Sequence, residues 1–586
     1  MPKYTLRRAA VILTAALCLL SSCAKEEPAP PGTDLPRETA EPDTPAPDAP
    51  APDAPSPEEP DAPGPETAAL PEPPTDFASP YPKGRPARTL YRLAEPSSFS
   101  DRLTLASLQG LAAKNADDQI LIQNGASSLF TPYIESGWGA EVTTKVDGHA
   151  VTLERLASHY LAAGTAKGYI LCSSDEGGES ASVAVSLAGL TDCAVATEKN
   201  RDLLERAGYE CLLDVTECGD KWLRASEYWE LLSRDTAFEQ PVSMAPKLVD
   251  YAVMAGAYFS FYDGHRAAEH TKKYEFLSDG AVVFGYNNTL GEHDTVESFS
   301  SLNLQMVPAD HAYNLSTLSG FPLSEIRQKE REAPAGTPDA VHTLCVVMSD
   351  GDNIQWVLNN FATSSEWYGS RRRGDFPVGW GASPALIDTA APMLSYLYDK
   401  MTPKDEFLMQ LSGLGYSFPS RWTKEARRKM AEDLARSMGR MDLRYAEILD
   451  DGGFRADVLT DFAAQDGIDG LFYIDYSWYA GLGGEILWLE DKPAVSARYM
   501  IWADHPAGGI GYIARKLNRL STDPREEEAY SFLIVHAWSG MKDGELKPHG
   551  NTMDAIAELI SQLDDDVELV TPSVFMERLK ANCGPH

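Results

Sequence analysis

Eight apolar runs in the C-terminal part of the chain constrain its fold more than any other feature. They fall at 341–349, 377–382, 406–412, 443–449, 470–474, 494–502, 531–537 and 567–570. Helical patterns separate most of them, including 354–362, 386–399, 424–438 and 552–563. Short apolar runs at this spacing read as buried strands, and strands alternating with helices give a parallel sheet. Roughly 250 residues in this alternation is the size of a (β/α)8 barrel. The expected fold class is therefore α/β, with a C-terminal (β/α)7-8 barrel-like domain over 336–586.

Open and closed α/β sheets keep their ligand sites at the strand C-termini. The residues that follow the runs are polar or aromatic. Asp350 and Asp352 follow the first, Ser383 and Pro384 the second, and Gly413 and Tyr416 the third. Asp450 and Asp451 follow the fourth, Asp475 the fifth, Asp504 the sixth, and His536 and Trp538 the seventh. The expected rim is rich in carboxylates and aromatics. The turn Ser349-Asp350-Gly351-Asp352-Asn353 carries two acids two residues apart. Turn chemistry and capping of the next helix by Asp352 or Asn353 explain the same residues, but their strand-end position favours a site.

Residues 88–240 alternate helix and strand patterns and read as an N-terminal α/β domain, and 241–335 as a second, smaller one. Together they form a multi-part Rossmann-like region. No glycine-rich turn follows its strands, so a dinucleotide site is not supported. Residues 247–262 read as a long apolar helix, and the charged stretch 325–338 as the boundary before the barrel.

The first 23 residues read as a lipoprotein signal. Lys3, Arg7 and Arg8 precede an apolar segment, Ala9 to Leu20, too short to span a bilayer. Leu20-Ser21-Ser22-Cys23 resembles a bacterial lipobox, which makes Cys23 the lipidation site and places the protein at the cell envelope, facing outward or periplasmic. Residues 24–87 are rich in Pro, Ala, Asp and Glu and read as a solvated tether. The tether carries more than a quarter of the net charge of −36, and the remainder is still acidic. That balance argues against nucleic acid or an anionic membrane surface and is compatible with a neutral sugar. The membrane is expected as a partner only through the lipid. Cys172, Cys193 and Cys345 lie in or beside apolar runs as small core residues, and no pair has CxxC spacing.

The segment Gly413-Leu414-Gly415-Tyr416-Ser417-Phe418-Pro419 carries two aromatics in a turn, where a ring usually has something to stack on, and the apolar face of a sugar is one such partner. It resembles the signature of the GxGYxYP glycoside hydrolase family, with Phe418 in place of the family's second tyrosine. Val347 to Trp356 is similar to that family's SDGDN-Q segment, and Val378-Gly379-Trp380 with Ser383-Pro384-Ala385-Leu386 to another of its blocks. Ala497-Arg498-Tyr499 with Trp502 looks like a third. In the N-terminal half, Ser107 to Leu111 and Ala309-Asp310 with Asn314-Leu315-Ser316 extend the likeness. The resemblance implies a multi-part N-terminal α/β region, a C-terminal hydrolase domain and a carbohydrate substrate. The Phe418 departure removes one hydroxyl.

Hydrolysis of a glycosidic bond needs one protonated carboxyl and one ionised carboxylate. Asp350 or Asp352 is the expected ionised partner, because turn amides favour charge. Asp475, after an apolar run, is the expected acid, with Asp450 and Asp451 in reserve. Asn353, Trp380, Tyr416, Phe418, Arg498, His536, Trp538, Asp310 and Asn314 are the expected substrate contacts. Arg498 inside a strand needs a partner, such as a rim carboxylate. No metal or other cofactor is expected: HExxH is absent, and the SDGDN turn lacks the later glycine and closing glutamate of a calcium loop. A metal-dependent carbohydrate deacetylase is the nearest rival, but no histidine pair has HxxxH spacing. A non-catalytic glycan-binding lipoprotein would need the aromatics and not the carboxylates. Lipidation of Cys23 predicts that the wild-type chain partitions into detergent and that Cys23→Ala does not; equal recovery of both in the aqueous phase refutes the anchor.

Overall fold

The computed structural model describes residues 79–244, 246–261, 266–287, 289–330, 340–476, 483–505 and 507–585. The signal, Cys23 and most of the tether lie outside the described residues.

Three parallel sheets precede the barrel. Thr89–Leu93 pairs with Asp118–Ile122 on one side and Glu141–Thr143 on the other. Gly168–Cys172 pairs in the same way with Cys193–Thr197 and Cys211–Asp214. The third sheet has the order Tyr258–Phe261, Thr236–Gln240, Val282–Gly285, Gln305–Val307. A boundary at 240 cuts this sheet, because Thr236–Gln240 is one of its two inner strands; the division falls before Thr236. The long helix expected over 247–262 is also two elements. Helix Val249–Ala255 stops at Gly256, whose φ of +58° turns the chain into strand Tyr258–Phe261. A glycine in the left-handed region is a common helix terminator, and it outweighs an unbroken apolar pattern.

The C-terminal sheet contains β1 (His342–Met348), β2 (Val378–Ala382), β3 (Asp405–Met409), β4 (Tyr445–Asp450) and β5 (Gly470–Asp475). It continues with β6 (Ile486–Leu489), β7 (Lys492–Ser496), β8 (Tyr499–Ile501), β9 (Tyr530–Val535) and β10 (Val567–Val570). Every pairing is parallel except that of β6 with β7. The sheet curls on itself. β7 pairs with β5, and β8, two residues further along the same extended run, pairs with β9. At the crossing, Ala497 N–H donates to Tyr473 O at 2.8 Å and Arg498 N–H to Phe532 O at 2.8 Å. Successive amides of a strand point to opposite sides, so this single run joins the two flanks. β9 pairs with β1 along six residues, and β10 lies beside the start of β1 where β2 has not yet joined.

Strand alternation then fixes what faces the pore. Phe472 of β5 and Phe532 of β9 meet at 4.6 Å between ring centroids. The C-terminal helix Pro572–Cys583 closes the strand N-termini: its Phe575 ring lies 6.0 Å from that of Phe472 and 5.9 Å from that of Tyr530. Glu406 of β3 accepts a hydrogen bond from Ser573 N–H of that helix at 2.9 Å. The opposite end, where the strands terminate, is the mouth.

The signature segment forms a seam to the third N-terminal sheet. Tyr416 N–H donates to Met306 O at 2.7 Å and Met306 N–H to Tyr416 O at 3.0 Å, an antiparallel bridge on the edge strand Gln305–Val307. Gly415 N–H reaches Gln305 Oε1 at 3.1 Å, Phe418 N–H reaches Ser300 Oγ at 2.8 Å, and Thr423 N–H reaches Asn303 Oδ1 at 2.9 Å. The backbones approach so closely that a Cβ on Gly415 stands 2.7 Å from Met306 O. Gly415→Val is therefore expected to lower stability by about 1–3 kcal/mol, read as a fall in Tm, because backbone must move to admit the side chain. Gly439→Ala, in helix Lys424–Arg440 with open space around the position, is expected to leave Tm unchanged or raised.

Candidate active site

The turn after β1 is held in place from three directions. Ser349 N–H extends the ladder to Val535 O at 3.0 Å, and Ala537 N–H donates to Ser349 Oγ at 3.1 Å. Asp350 takes a left-handed φ of +67°. Gly351 lies against Gly381 of β2, where a Cβ would come within 2.3 Å of backbone, and its N–H donates to Gln410 Oε1 at 2.8 Å. Gln410, just past β3, also donates through Nε2 to Met348 O at 3.1 Å and to Glu447 Oε2 at 2.9 Å. One amide side chain thus ties the turn to a carboxyl on β4.

Four carboxyls share this mouth. Asp350, half-buried, accepts from Trp538 Nε1–H at 3.3 Å and from the Ser349 hydroxyl. Asp352 is buried, with Oδ1 unpartnered, and its pKa rises well above the usual range because of burial and then the charge of Asp350. Glu447 is fully buried, with Oε1 unpartnered; burial first, then Asp352 and Asp350, pushes it up to about 8. The fourth is Glu292, first residue of helix Glu292–Ser300 in the third N-terminal domain. Its Oε1 accepts the Tyr416 hydroxyl at 2.9 Å, and burial together with the Asp350 charge raises it to about 7.

Aromatic and histidine side chains line the same rim. Trp538 packs against Trp356 at 5.0 Å and Trp367 at 5.3 Å. His536 stacks on Trp502 at 4.5 Å, approaches Ser539 Oγ through Nδ1 at 3.1 Å, and is held toward its neutral form by burial. Asn353 donates to Asp350 O at 3.3 Å. Asp310 is buried on the loop that packs on this turn, where Gln355 N–H donates to Pro308 O at 3.4 Å, and its charge acts on Tyr286 together with those of Glu292 and Asp350.

The other expected residues are placed differently. Asp475 and Asp450 share their strand faces with Tyr473 and Ile448, whereas Phe472 and Glu447 take the pore side; alternation turns both terminal acids outward. Asp475 Oδ2 accepts from Gly453 N–H at 3.1 Å and Tyr473 OH at 3.2 Å. Asp450 accepts from Ser420 Oγ–H at 2.7 Å, and burial raises it to about 6. Asp451 is ion-paired to Arg421 at 2.6 Å and approached by His293 Nε2 at 3.3 Å, which hold it down at about 2 against the opposing effect of burial. Trp380 is buried outside the pore, its Nε1–H on Asp405 Oδ1 at 2.8 Å. Phe418 and Tyr416 are buried and pack against each other, His293 and Tyr476, so neither ring offers a free face to a sugar. Asn314 is buried and bonds Ile122 N–H at 2.7 Å and Ile122 O at 2.9 Å, a structural clamp. Arg498 donates to Gly484 O and Tyr530 O at 3.5 and 3.3 Å, carbonyls in place of a rim carboxylate.

Sequence reading missed Glu447, Glu292 and Gln410. A charged residue inside the apolar run 443–449 was the available signal for Glu447. Glu292 follows a glycine in a different domain, and no local pattern points it at the barrel.

Family comparison matches residues 340–580 to the GxGYxYP putative glycoside hydrolase C-terminal domain, 234–320 to the GxGYxYP third domain and 166–232 to the GxGYxYP_N second domain. The chain belongs to the GxGYxYP family. The family divisions agree with a boundary ahead of Thr236. Among solved structures it is similar to a crystal structure described as a putative hydrolase from Bacteroides thetaiotaomicron VPI-5482, at 28% identity and a TM-score of 0.77, covering 86% of this chain and 97% of that one. No curated protein matches.

The raised pKa of Glu447 carries a stability signature. Between the unfolded value of roughly 4.3 and the folded value of about 8, the native state keeps a proton that the unfolded chain has lost. Stability therefore falls as pH rises through that window. Asp352, raised by burial, adds a slope of the same sign. The expected outcome is a Tm that drops between pH 5 and 8 in the wild type and drops less in Glu447→Gln; parallel curves would refute a neutral Glu447.

Proposed function

We propose that this GxGYxYP chain hydrolyses glycosidic bonds at the barrel mouth, with Asp350 as the ionised carboxylate and a protonated carboxyl of the same cluster as the acid. One observation carries the reading. Asp350 has hydrogen-bond donors on both its oxygens, while Asp352, Glu292 and Glu447 around it are all raised by burial and by its charge. A charged and an uncharged carboxyl at one mouth is the requirement of glycoside cleavage. The aromatic wall of Trp538, Trp502 and His536 suits the apolar face of a sugar ring. The family supports a carbohydrate substrate and the structural neighbour supports hydrolysis, and the residue assignment is our own.

Anchoring through a lipid on Cys23, with the tether as a spacer, belongs to the same proposal; the spacer ends earlier than residue 87, because Tyr81 and Ala87 are buried and Ser79 and Lys83 bond Asp388.

Asp350→Asn preserves shape and removes the charge. On a glycoside that the wild type cleaves, it is expected to cost roughly 10²–10⁴ in kcat while ligand binding survives. Binding without cleavage across a broad glycan panel, with Asp350→Asn binding like wild type, would replace this reading with a glycan-binding lipoprotein. Loss of activity with chelator and release of acetate would point to a deacetylase.

A further inference from the structure

We infer that the proton donor to the leaving oxygen is Glu292, a residue of the third N-terminal domain and not of the barrel, held in position by the hydroxyl of Tyr416 from the family signature. The inference rests on the hydrolase reading above and deepens it. Of the four carboxyls at the mouth, Asp352 and Glu447 are buried and Asp350 carries the charge that its neighbours feel. Glu292 is half-buried at the start of its helix. Its Oε1 takes the Tyr416 hydroxyl at 2.9 Å, and among the described residues Oε2 has no hydrogen-bond partner. One oxygen is thus fixed and the other left for a ligand. The backbone bridge between Tyr416 and Met306 sets the height of Tyr416, and the bond from Phe418 N–H to Ser300 Oγ ties the far end of the Glu292 helix to the same segment. Signature and acid are therefore one mechanical unit.

The Glu292 carboxyl gives its proton to the glycosidic oxygen as the bond from that oxygen to the anomeric carbon breaks, and the bonding pair leaves with the alcohol. Asp350 either bonds the anomeric carbon directly or takes a proton from the water that does. In the first course, a water later attacks the anomeric carbon, displaces Asp350 and returns a proton to Glu292. Either way one water is consumed, and its hydroxyl ends on the sugar.

The hydrogen bond from Tyr416 favours the charged form of Glu292, so its removal raises the pKa of the acid. That gives Tyr416 a readout distinct from a structural role.

The test uses a panel of aryl glycosides whose leaving groups range from phenol to 2,4-dinitrophenol, with the full chain. On the sugar that the wild type turns over, Glu292→Gln is expected to lose about 100-fold or more on the phenyl glycoside. It should lose less than about 10-fold on the dinitrophenyl glycoside, whose phenolate departs without a proton. Asp350→Asn is expected to fail on both. Tyr416→Phe, checked for an unchanged Tm, is expected to move the basic limb of the pH–rate profile upward. A second readout needs no turnover: the protonated-carboxyl band in the infrared difference between pH 6 and 9, to which Glu447 also contributes, should be weaker in Glu292→Gln than in the wild type. A Glu292→Gln variant that cleaves both glycosides like wild type, or loses both equally, or keeps the full intensity of the band, overturns the inference and leaves the hydrolase reading standing. A wild type that cleaves no member of the panel removes the hydrolase reading and this inference with it.

Discussion

Two backbone hydrogen bonds between Tyr416 and Met306 organise the mouth of this protein. The strand Gln305–Val307 is the edge of its sheet, with unpaired N–H and C=O groups that must find partners. The segment after β3 supplies them, and it does so with main chain, which demands the close approach that Gly415 permits. Side-chain consequences follow from that register. Tyr416 is brought to Glu292, Phe418 is driven into a pocket against His293 and Tyr476, and Arg421 lands between Glu297 and Asp451. The signature is thus read best as a docking strip whose aromatic residues are buried in the seam.

The barrel mouth collects more carboxyl groups than it can ionise together. Like charges in a half-buried cleft repel, and burial penalises each charge further, so protons stay on most of the group. The unpartnered oxygens of Asp352 and Glu447 are costly in a protein interior and contribute nothing to stability. Such arrangements are found where function requires them. The nearby acids that do stay charged do so by a different device. Asp451 meets Arg421 and His293, and Asp461 meets Arg427 at 2.7 Å, away from the mouth.

The fold was legible because it depends on periodicity. All eight apolar runs of the C-terminal part became strands of one sheet, including 494–502, which supplies both β7 and β8. The site was legible only in part. Asp350, Asp352, Asn353, His536 and Trp538 lie together at the mouth because they follow strands that end there. Asp450 and Asp475 also end strands, yet one residue of parity separates them from the pore side, and an apolar run buried on both faces gives no sign of which side is which. Asn314 and Trp380 sit in segments that resemble family blocks for a structural reason, as a clamp on Ile122 and as an outer-layer partner of Asp405. The docking of the third domain is a long-range contact, and no local pattern announces that Glu292 will meet a residue more than a hundred positions away.

His293 joins the two electrostatic regimes. Its Nε2 lies 3.3 Å from Asp451, and that carboxylate favours its protonated form. The neighbouring Glu292 feels the opposite pulls of Asp350, which raises it, and of His293 and the Tyr416 hydroxyl, which lower it. Burial alone would drive a carboxyl further up, as it does at Glu447, where the other charges nearby are those of Asp350 and Asp352. The settled value of about 7 at Glu292 is therefore a balance between burial and the Asp350 charge, which raise it, and the Tyr416 hydroxyl and His293, which lower it. Asp451 takes no part in the pore, but it holds His293, whose charge bears on the acidity of a group that does. The charge network outside the barrel and the proton inventory within it are two halves of one arrangement, and the signature seam holds them in register.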